Sequence, residues 1–302
     1  MRLSVVVTIV DAGAALERCL TALATQQAPP PLEILVPWDD TVPGVPELAR
    51  RFPAFRFLGL QRLPTHATPR SAAGQHELFD RRRAAGLAAA TGEVVAMLED
   101  RGVPALDWAR TMVDLHERLP HAAIGGAVEN GRDGLLEWAV YYCDFHRYQR
   151  PFAAGPRTYV SDVNIGYKRR AIDQTVDLWR DRFHETTVNW ALQRAGETLY
   201  LAPELVVEQH REGLRVWALM AERLAWGRLF ACTRAREGGV AGRMLRTALA
   251  PVLPVVLLVR HTRLQAARGV HLRRFVQAAP IVLLLQSAWS LGEAMGELTA
   301  RP

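Results

Sequence analysis

Residues 81–104 read RRRAAGLAAATGEVVAMLEDRGVP, and this stretch decides the fold. Its first half continues an Ala- and Arg-rich segment from His76 to Ala90 that reads as a helix. Gly92-Glu93 then turns the chain into Val94 to Leu98, five apolar residues in a row. An unbroken apolar run of this length, with no polar residue alternating into it, is the mark of a strand buried on both faces. That strand ends abruptly on charge, at Glu99, Asp100 and Arg101.

The same unit recurs upstream. Leu3 to Ile9 forms a Val- and Ile-rich first strand. Ala14 to Gln26 keeps helical spacing, with Leu16, Cys19, Leu20 and Leu23 on one face, until Pro29 to Pro31 block it. Leu32 to Val36 is a second strand, stopped by Pro37-Trp38-Asp39-Asp40. A helix over Pro46 to Phe52 and a third strand over Phe55 to Leu60 follow, then a surface loop from Gln61 to Gly74. Strand–helix–strand alternation predicts an α/β fold with a mostly parallel, doubly wound sheet. Such sheets bind ligands at the carboxyl ends of their strands. The polar residues that end strands here are Thr8, Asp39 and the pair Glu99-Asp100.

Charge divides the 302-residue chain in two. From Arg211 onward there are 14 arginines, no lysine and five glutamates, a net +9, whereas the first 210 residues sum to −3. A basic, apolar tail on a neutral-to-acidic body suits contact with anionic lipid. Leu214, Trp217, Ala218, Ala221, Leu224 and Ala225 share one helical face. Two apolar runs follow, Thr247 to Val259 and Ala278 to Leu291, separated by five arginines. Each is shorter than the roughly 20 residues that span a bilayer. They predict an interfacial or re-entrant hairpin, or a helical subdomain packed on the core. The expected division is therefore 1–208 for the ligand-binding domain and 209–302 for membrane-associating helices. No nucleic-acid-binding motif is present, and nucleic acid is not an expected partner. Cys19, Cys143 and Cys232 form no CxxC pair, which argues against a zinc site and fits a reducing compartment. The apolar run after Arg2 is short for a signal core and is broken by Asp11, so export is not expected. No GxGxxG follows a predicted strand, which sets aside a dehydrogenase, and no glycine-rich, lysine-bearing phosphate loop supports a nucleotidyltransferase.

Several of these segments, in this order, resemble the inverting family 2 glycosyltransferases, which use the GT-A fold. The resemblance covers Leu3 to His210. SVVVTIVDAG (4–13) is similar to the family's first strand and nucleotide-contacting turn, and implies that Thr8 lies near the nucleoside. LEILVPWDDT (32–41) resembles EIIVVDDGS, which implies Asp39 as a base-binding carboxylate, although Trp38 replaces the first aspartate. The opening stretch resembles an RN-x-G-x-x-x-A-x-G-E helix followed by a strand and a DxD-type motif. Arg83 takes the arginine position and Ala84 replaces the asparagine. The resemblance implies that Glu99 and Asp100 hold a divalent cation, Mg²⁺ or Mn²⁺, with the sugar-nucleotide diphosphate. Arg101 stands at the third motif position. A guanidinium cannot ligate a metal but grips phosphate through paired hydrogen bonds, so Arg101 supplements or partly replaces the cation.

RFHETTVNWALQRAGETL (182–199) resembles the segment carrying the catalytic acidic pair, with Glu185 on the base position and His184 on its partner. YVSDVNIGYKRRAI (159–172) resembles the acceptor-side strand, implying that Asp162 and Asn164 reach the sugar or acceptor. Trp138, Tyr141, Tyr142 and Phe145 are candidates for lining an acceptor cleft, and His210 for a late metal-binding histidine. The resemblance thus implies a glycosyltransferase at the cytoplasmic face of the cell membrane. It would move a sugar from a nucleoside-diphosphate donor, UDP favoured, to a lipid-linked or cell-envelope glycan acceptor. The departures at Trp38, Ala84 and Arg101 keep open a catalytically silent GT-A-like module that binds partners or lipid at the membrane.

Overall fold

In a computed structural model, which describes residues 1–235 and 239–299, strand and helix alternate from the start. β1 (Leu3–Thr8), α1 (Gly13–Ala24), β2 (Leu32–Trp38), α2 (Val45–Arg51), β3 (Arg56–Gly59), α3 (Ala72–Ala89) and β4 (Val94–Glu99) come first. β5 (Gly102–Pro104), α4 (Trp108–Arg118), β6 (Ala123–Asn130) and α5 (Leu135–Asp144) follow. Then come β7 (Gly155–Arg157), β8 (Asn164–Lys168), α6 (Arg169–Gln174), α7 (Val176–Trp179), α8 (Glu185–Arg194) and β9 (Leu199–Gln209). The helices α9 (Val216–Ala235), α10 (Val240–Leu249), α11 (Leu253–Arg268) and α12 (Leu272–Thr299) come last among the described residues.

The strands form one sheet in the order β3-β2-β1-β4-β8-β6-β9-β5, with β7 added beside β9. Its first half is parallel, with β1 paired to both β2 and β4, and β2 to β3. β8 then enters antiparallel to β4, and β6 with β8 and both β5 and β7 with β9 pair antiparallel as well. The sheet is therefore mixed. This reversal matters for the site: β8 begins at the edge where β1, β2 and β4 end, with Leu98 opposite Asn164.

Two glycines set how closely the layers approach. A Cβ on Gly86 of α3 would stand 2.3 Å from Val6 Cγ1, so only glycine lets that helix settle onto β1. At Gly92 a Cβ would meet the backbone nitrogen of Ser4 at 2.5 Å. Beside it, at the amino ends of the strands, Glu33 is buried and accepts from Ser4 Oγ (2.5 Å), from the amide and hydroxyl of Thr91 (both 2.9 Å) and from Arg56 (2.5 Å). Burial opposes its ionisation, but these bonds outweigh it and hold the carboxyl at about 2.

The chain divides into two compact units. The sheet belongs to the first, built from 1–69, 75–129 and 148–210. The second takes in 70–74, 130–147 and the residues from Arg211 on. Trp138, Tyr141 and Tyr142 of α5 are buried in the second unit against Leu219, Phe275, Ala278, Val282 and Leu285. Their aromatic character is core packing, as is the partly buried Phe145, and this corrects the reading of an acceptor cleft. Among the described residues one helix, α12, is long and apolar enough to cross a membrane. It has 28 residues, with a mean hydropathy of 1.4 over its most apolar window. It outruns the apolar stretch 278–291 because helix continues on both sides of it, through Pro280. α10 and α11 meet at a bend of 73°, at Pro251.

Candidate active site

Each side chain of the candidate site sits where a buried strand or a helix reaches one edge of the sheet. Thr8 ends β1 fully buried, and its hydroxyl has no hydrogen-bond partner among the described residues. Its carbonyl accepts from the Asp100 amide at 2.9 Å. Asp39 follows β2 and is also buried. One oxygen accepts from the Thr41 amide (2.9 Å) and hydroxyl (2.6 Å), and the other from Arg82 Nε (2.6 Å). Arg82 further donates to the Ile9 carbonyl (2.8 Å) and to Thr41 Oγ1 (2.9 Å), so one buried guanidinium ties the turn after β2 to the end of β1. Burial works against the charge on Asp39, yet the bonds from Arg82 and Thr41 keep its carboxyl below the usual range.

Arg83, the next residue on α3, points to a different group of acids. It lies 2.9 Å from Asp162, 3.1 Å from Glu99 and 3.5 Å from Asp80. Helical geometry explains the split, since consecutive residues differ by about 100° around the axis. Asp162 reaches this place because it lies two residues before the antiparallel β8. Its amide donates to Glu185 Oε2 at 3.1 Å, and Asn189 Nδ2 lies 3.4 Å from Glu185 Oε1. Glu185 is the first residue of α8 and His184 its N-cap residue, with His184 Nδ1 3.1 Å from Thr187 Oγ1. Packed surroundings, and then the negative charge of Asp162, push the Glu185 carboxyl well above its ordinary value. Asp80 rises to about 7, chiefly through burial, and burial also lowers His184. Arg83 therefore faces Asp80, Glu99 and Asp162 directly and feels the charge of Glu185.

The acidic motif after β4 is used in two directions. Glu99 takes Arg83 and, at 3.3 Å, Gln209 Nε2. Asp100 is fully buried and accepts from the amides of Asp11 (3.0 Å) and Ala12 (2.6 Å), shaping the turn into α1. Burial first, and the nearby Asp11 second, raise Asp100 to about 7. Arg101 forms a two-pronged pair with Asp11, Nε to Oδ2 at 2.7 Å and Nη2 to Oδ1 at 2.6 Å. His210 is brought beside it, its amide donating to the Arg101 carbonyl at 2.9 Å while its Nε2 lies 3.4 Å from Glu208.

Glu99 and Asp100, which the sequence resemblance assigns to a divalent cation, are engaged here by protein groups. The oxygens of Asp100 are occupied by backbone amides, Glu99 is neutralised by Arg83, and the third motif position is a cation. Among the described residues no three His, Cys, Asp or Glu side chains are grouped to hold a metal ion, and His210 adds no such group. Asn164 requires a second correction. It is fully buried, its Oδ1 accepts from Trp108 Nε1 (2.9 Å) and its Nδ2 donates to the carbonyls of Ala127 and Leu205 (2.9 Å each). This amide staples β8 to its neighbours and has nothing left for a sugar. Arg82, Asp80 and Asp11 were missed by the sequence reading. Asp80 lies one turn before Arg83 on the same helical face, a spacing that pairs opposite charges.

The family profile described as "Glycosyl transferase family 2" matches residues 4–176. No curated protein sequence matches the chain. Among solved structures, residues 1–349 of S. aureus TarS superpose with a TM-score of 0.51 at 10% identity, covering 96% of this chain and 91% of that one. At that identity the likeness speaks for the fold. The family match spans more than half of the sequence and includes Thr8, Asp39, Glu99 and Asp162. This chain belongs to glycosyl transferase family 2 and is a glycosyltransferase.

Proposed function

We propose that this enzyme transfers a sugar, with inversion, from a nucleoside-diphosphate donor, UDP favoured, to a lipid-linked or cell-envelope glycan acceptor. Glu185 is the base in this reading. The observation that carries it is the junction of Glu185 and Asp162 at the sheet edge where Glu99 and Arg83 also arrive. A base must hold a proton affinity above that of an ordinary carboxylate, and the raised Glu185 has it.

In the transfer, the acceptor hydroxyl oxygen attacks the anomeric carbon from the face opposite the nucleotide. Its proton passes to Glu185 as the new C–O bond forms, while the bond to the nucleoside diphosphate breaks and its electron pair leaves with that group. Asp162 and Arg83 fix the position of Glu185: Asp162 through its amide, and Arg83 through the carboxylate that follows it in space. Thr8 and Asp39 border the nucleoside, Asp39 held in place by Arg82. Arg101, beside the first turn of α1, meets the diphosphate charge, exchanging Asp11 for phosphate oxygens. The sheet unit serves as the catalytic domain. The basic helices after residue 208 hold the enzyme on the cytoplasmic face of the membrane, where a lipid-linked acceptor is presented.

The deciding experiment is Glu185→Gln. The amide keeps an oxygen for the Asp162 N–H but cannot take a proton, so kcat falls by about 10²- to 10⁴-fold while donor affinity stays within about twofold. Unchanged turnover, or a loss of donor binding as large as the loss of rate, sinks the assignment.

A further inference from the structure

The helices of the second unit are polarised the wrong way for water. On α10, Val240, Met244, Leu245 and Leu249 are 54–71% exposed, and no residue of this helix is buried. Its arginines turn inward instead. Arg246 forms paired bonds to the Glu297 carboxylate (2.7 and 3.1 Å), and Arg243 reaches the Glu297 carbonyl at 2.9 Å. Glu297, on α12, is only 2% exposed and also receives Arg234 of α9 at 2.8 Å. The pattern continues in α11, where Val255, Val256 and Val259 face outward while His261 and Gln265 are buried. Gln286 of α12 lies 3.3 Å from His261. A surface helix in water buries its apolar stripe and solvates its charges. Apolar residues outside, with charged and polar groups turned inside, is the arrangement hydrocarbon favours.

We infer that the bent α10–α11 pair is a wedge that inserts into the headgroup and upper acyl region of an anionic bilayer. Leu245, Leu249, Val252 and Val256 enter the apolar layer. The inference rests on the membrane reading of the tail and names the surface that does the work. Leu249 and Val252, each 54% exposed, flank the 73° bend, so exposed apolar side chains stand on both sides of it. Arg260 and Arg263 are exposed further along α11. At 1.5 Å per residue, Arg263 lies about 10 Å along the axis from Val256, the separation between acyl boundary and headgroup phosphate. Charge selects lipid over a second copy of this chain. From Arg211 on there are 14 arginines and five glutamates, and Glu222, Glu293 and Glu297 already face internal arginines. A second copy would set this cationic surface against itself.

Flotation of the full chain tests the wedge, using phosphatidylcholine vesicles with and without 30 mol% phosphatidylglycerol as an order-of-magnitude anionic load, about that of a native leaflet. The triple variant Leu245→Glu/Leu249→Glu/Val256→Glu should lose about a hundredfold in partitioning. The milder pair Leu249→Ser/Val256→Ser should lose about tenfold, and it keeps the test valid if the triple variant folds poorly. Arg260→Gln with Arg263→Gln should weaken binding to anionic vesicles by about fivefold per residue and leave neutral vesicles unaffected. If the wild type floats and these apolar variants float equally, the wedge is refuted while membrane association stands. If the wild type does not float, both readings fall together. Equal flotation with a wild-type dimer that the variants dissociate would assign this face to a second copy and overturn the proposal.

Discussion

Replacing Glu33 by glutamine tests the physical account of the sheet. The carboxylate sits at the amino ends of β1, β2 and β4, whose opposite ends carry Thr8, Asp39 and Glu99, so this knot sets the register on which the site depends. Folding holds Glu33 at about 2 instead of its ordinary 4.5. By linkage that is worth about 3 kcal/mol at neutral pH. The sign follows from the depressed value: the contribution is fully present above 4.5 and is lost as pH falls through the folded value near 2. Glutamine offers one acceptor oxygen where Ser4, Thr91 and Arg56 present several donors, and its own N–H groups meet some of them. Urea unfolding in mild detergent, followed from pH 7 down to pH 3, should show Glu33→Gln less stable by about 3 kcal/mol at pH 7. The gap should narrow steadily below pH 4.5. A difference that does not change with pH would refute the reasoning, because it would mean that the loss came from packing and not from the charge.

Three further outcomes follow from the same structure. Removing the neighbouring charge with Asp162→Asn should lower the raised Glu185 carboxyl, moving the acid limb of the kcat/KM profile to lower pH; an unmoved limb would show that Asp162 does not set the base. Arg101→Ala should weaken nucleoside-diphosphate-sugar binding at least about tenfold with or without Mn²⁺, measured by calorimetry, since a charge-assisted pair is worth about 1.5–3 kcal/mol. Gly86→Val should cost about 1–3 kcal/mol or more in thermal unfolding, because its Cβ would meet Val6 Cγ1 at 2.3 Å, and an unchanged midpoint would place α3 elsewhere.

The parallel half of the sheet was legible because each of its inner strands is an unbroken apolar run, which leaves little choice of structure. β8 was readable as a strand but its direction was not, and direction is what delivers Asp162 to Glu99 and Arg83. Within the RRR run, sequence has no means to tell Arg82 from Arg83. Only the phase of α3 against the sheet sends the first to Asp39 and the second to the acids. Asn164 is ambiguous for a related reason: a polar residue in a strand serves equally as ligand or staple until its neighbours are known. α5 misled because its packing partners lie more than 70 residues away, on α9 and α12. In the tail, the arginines of α10 turn toward Glu297 on α12, a partner about 50 residues away that no local pattern names.

The two edges of the sheet show how one scaffold yields both rigidity and reactivity. At the amino edge a single carboxylate, Glu33, receives more donors than it needs, and its proton affinity collapses. At the carboxyl edge the balance is reversed, with Asp80, Glu99, Asp162 and Glu185 arrayed around one guanidinium. Arg83 cannot neutralise them all, and proton affinity is pushed up at Asp80 and Glu185. A carboxylate short of counter-charge is a poor structural element, and that is the setting in which our proposal places the base, Glu185.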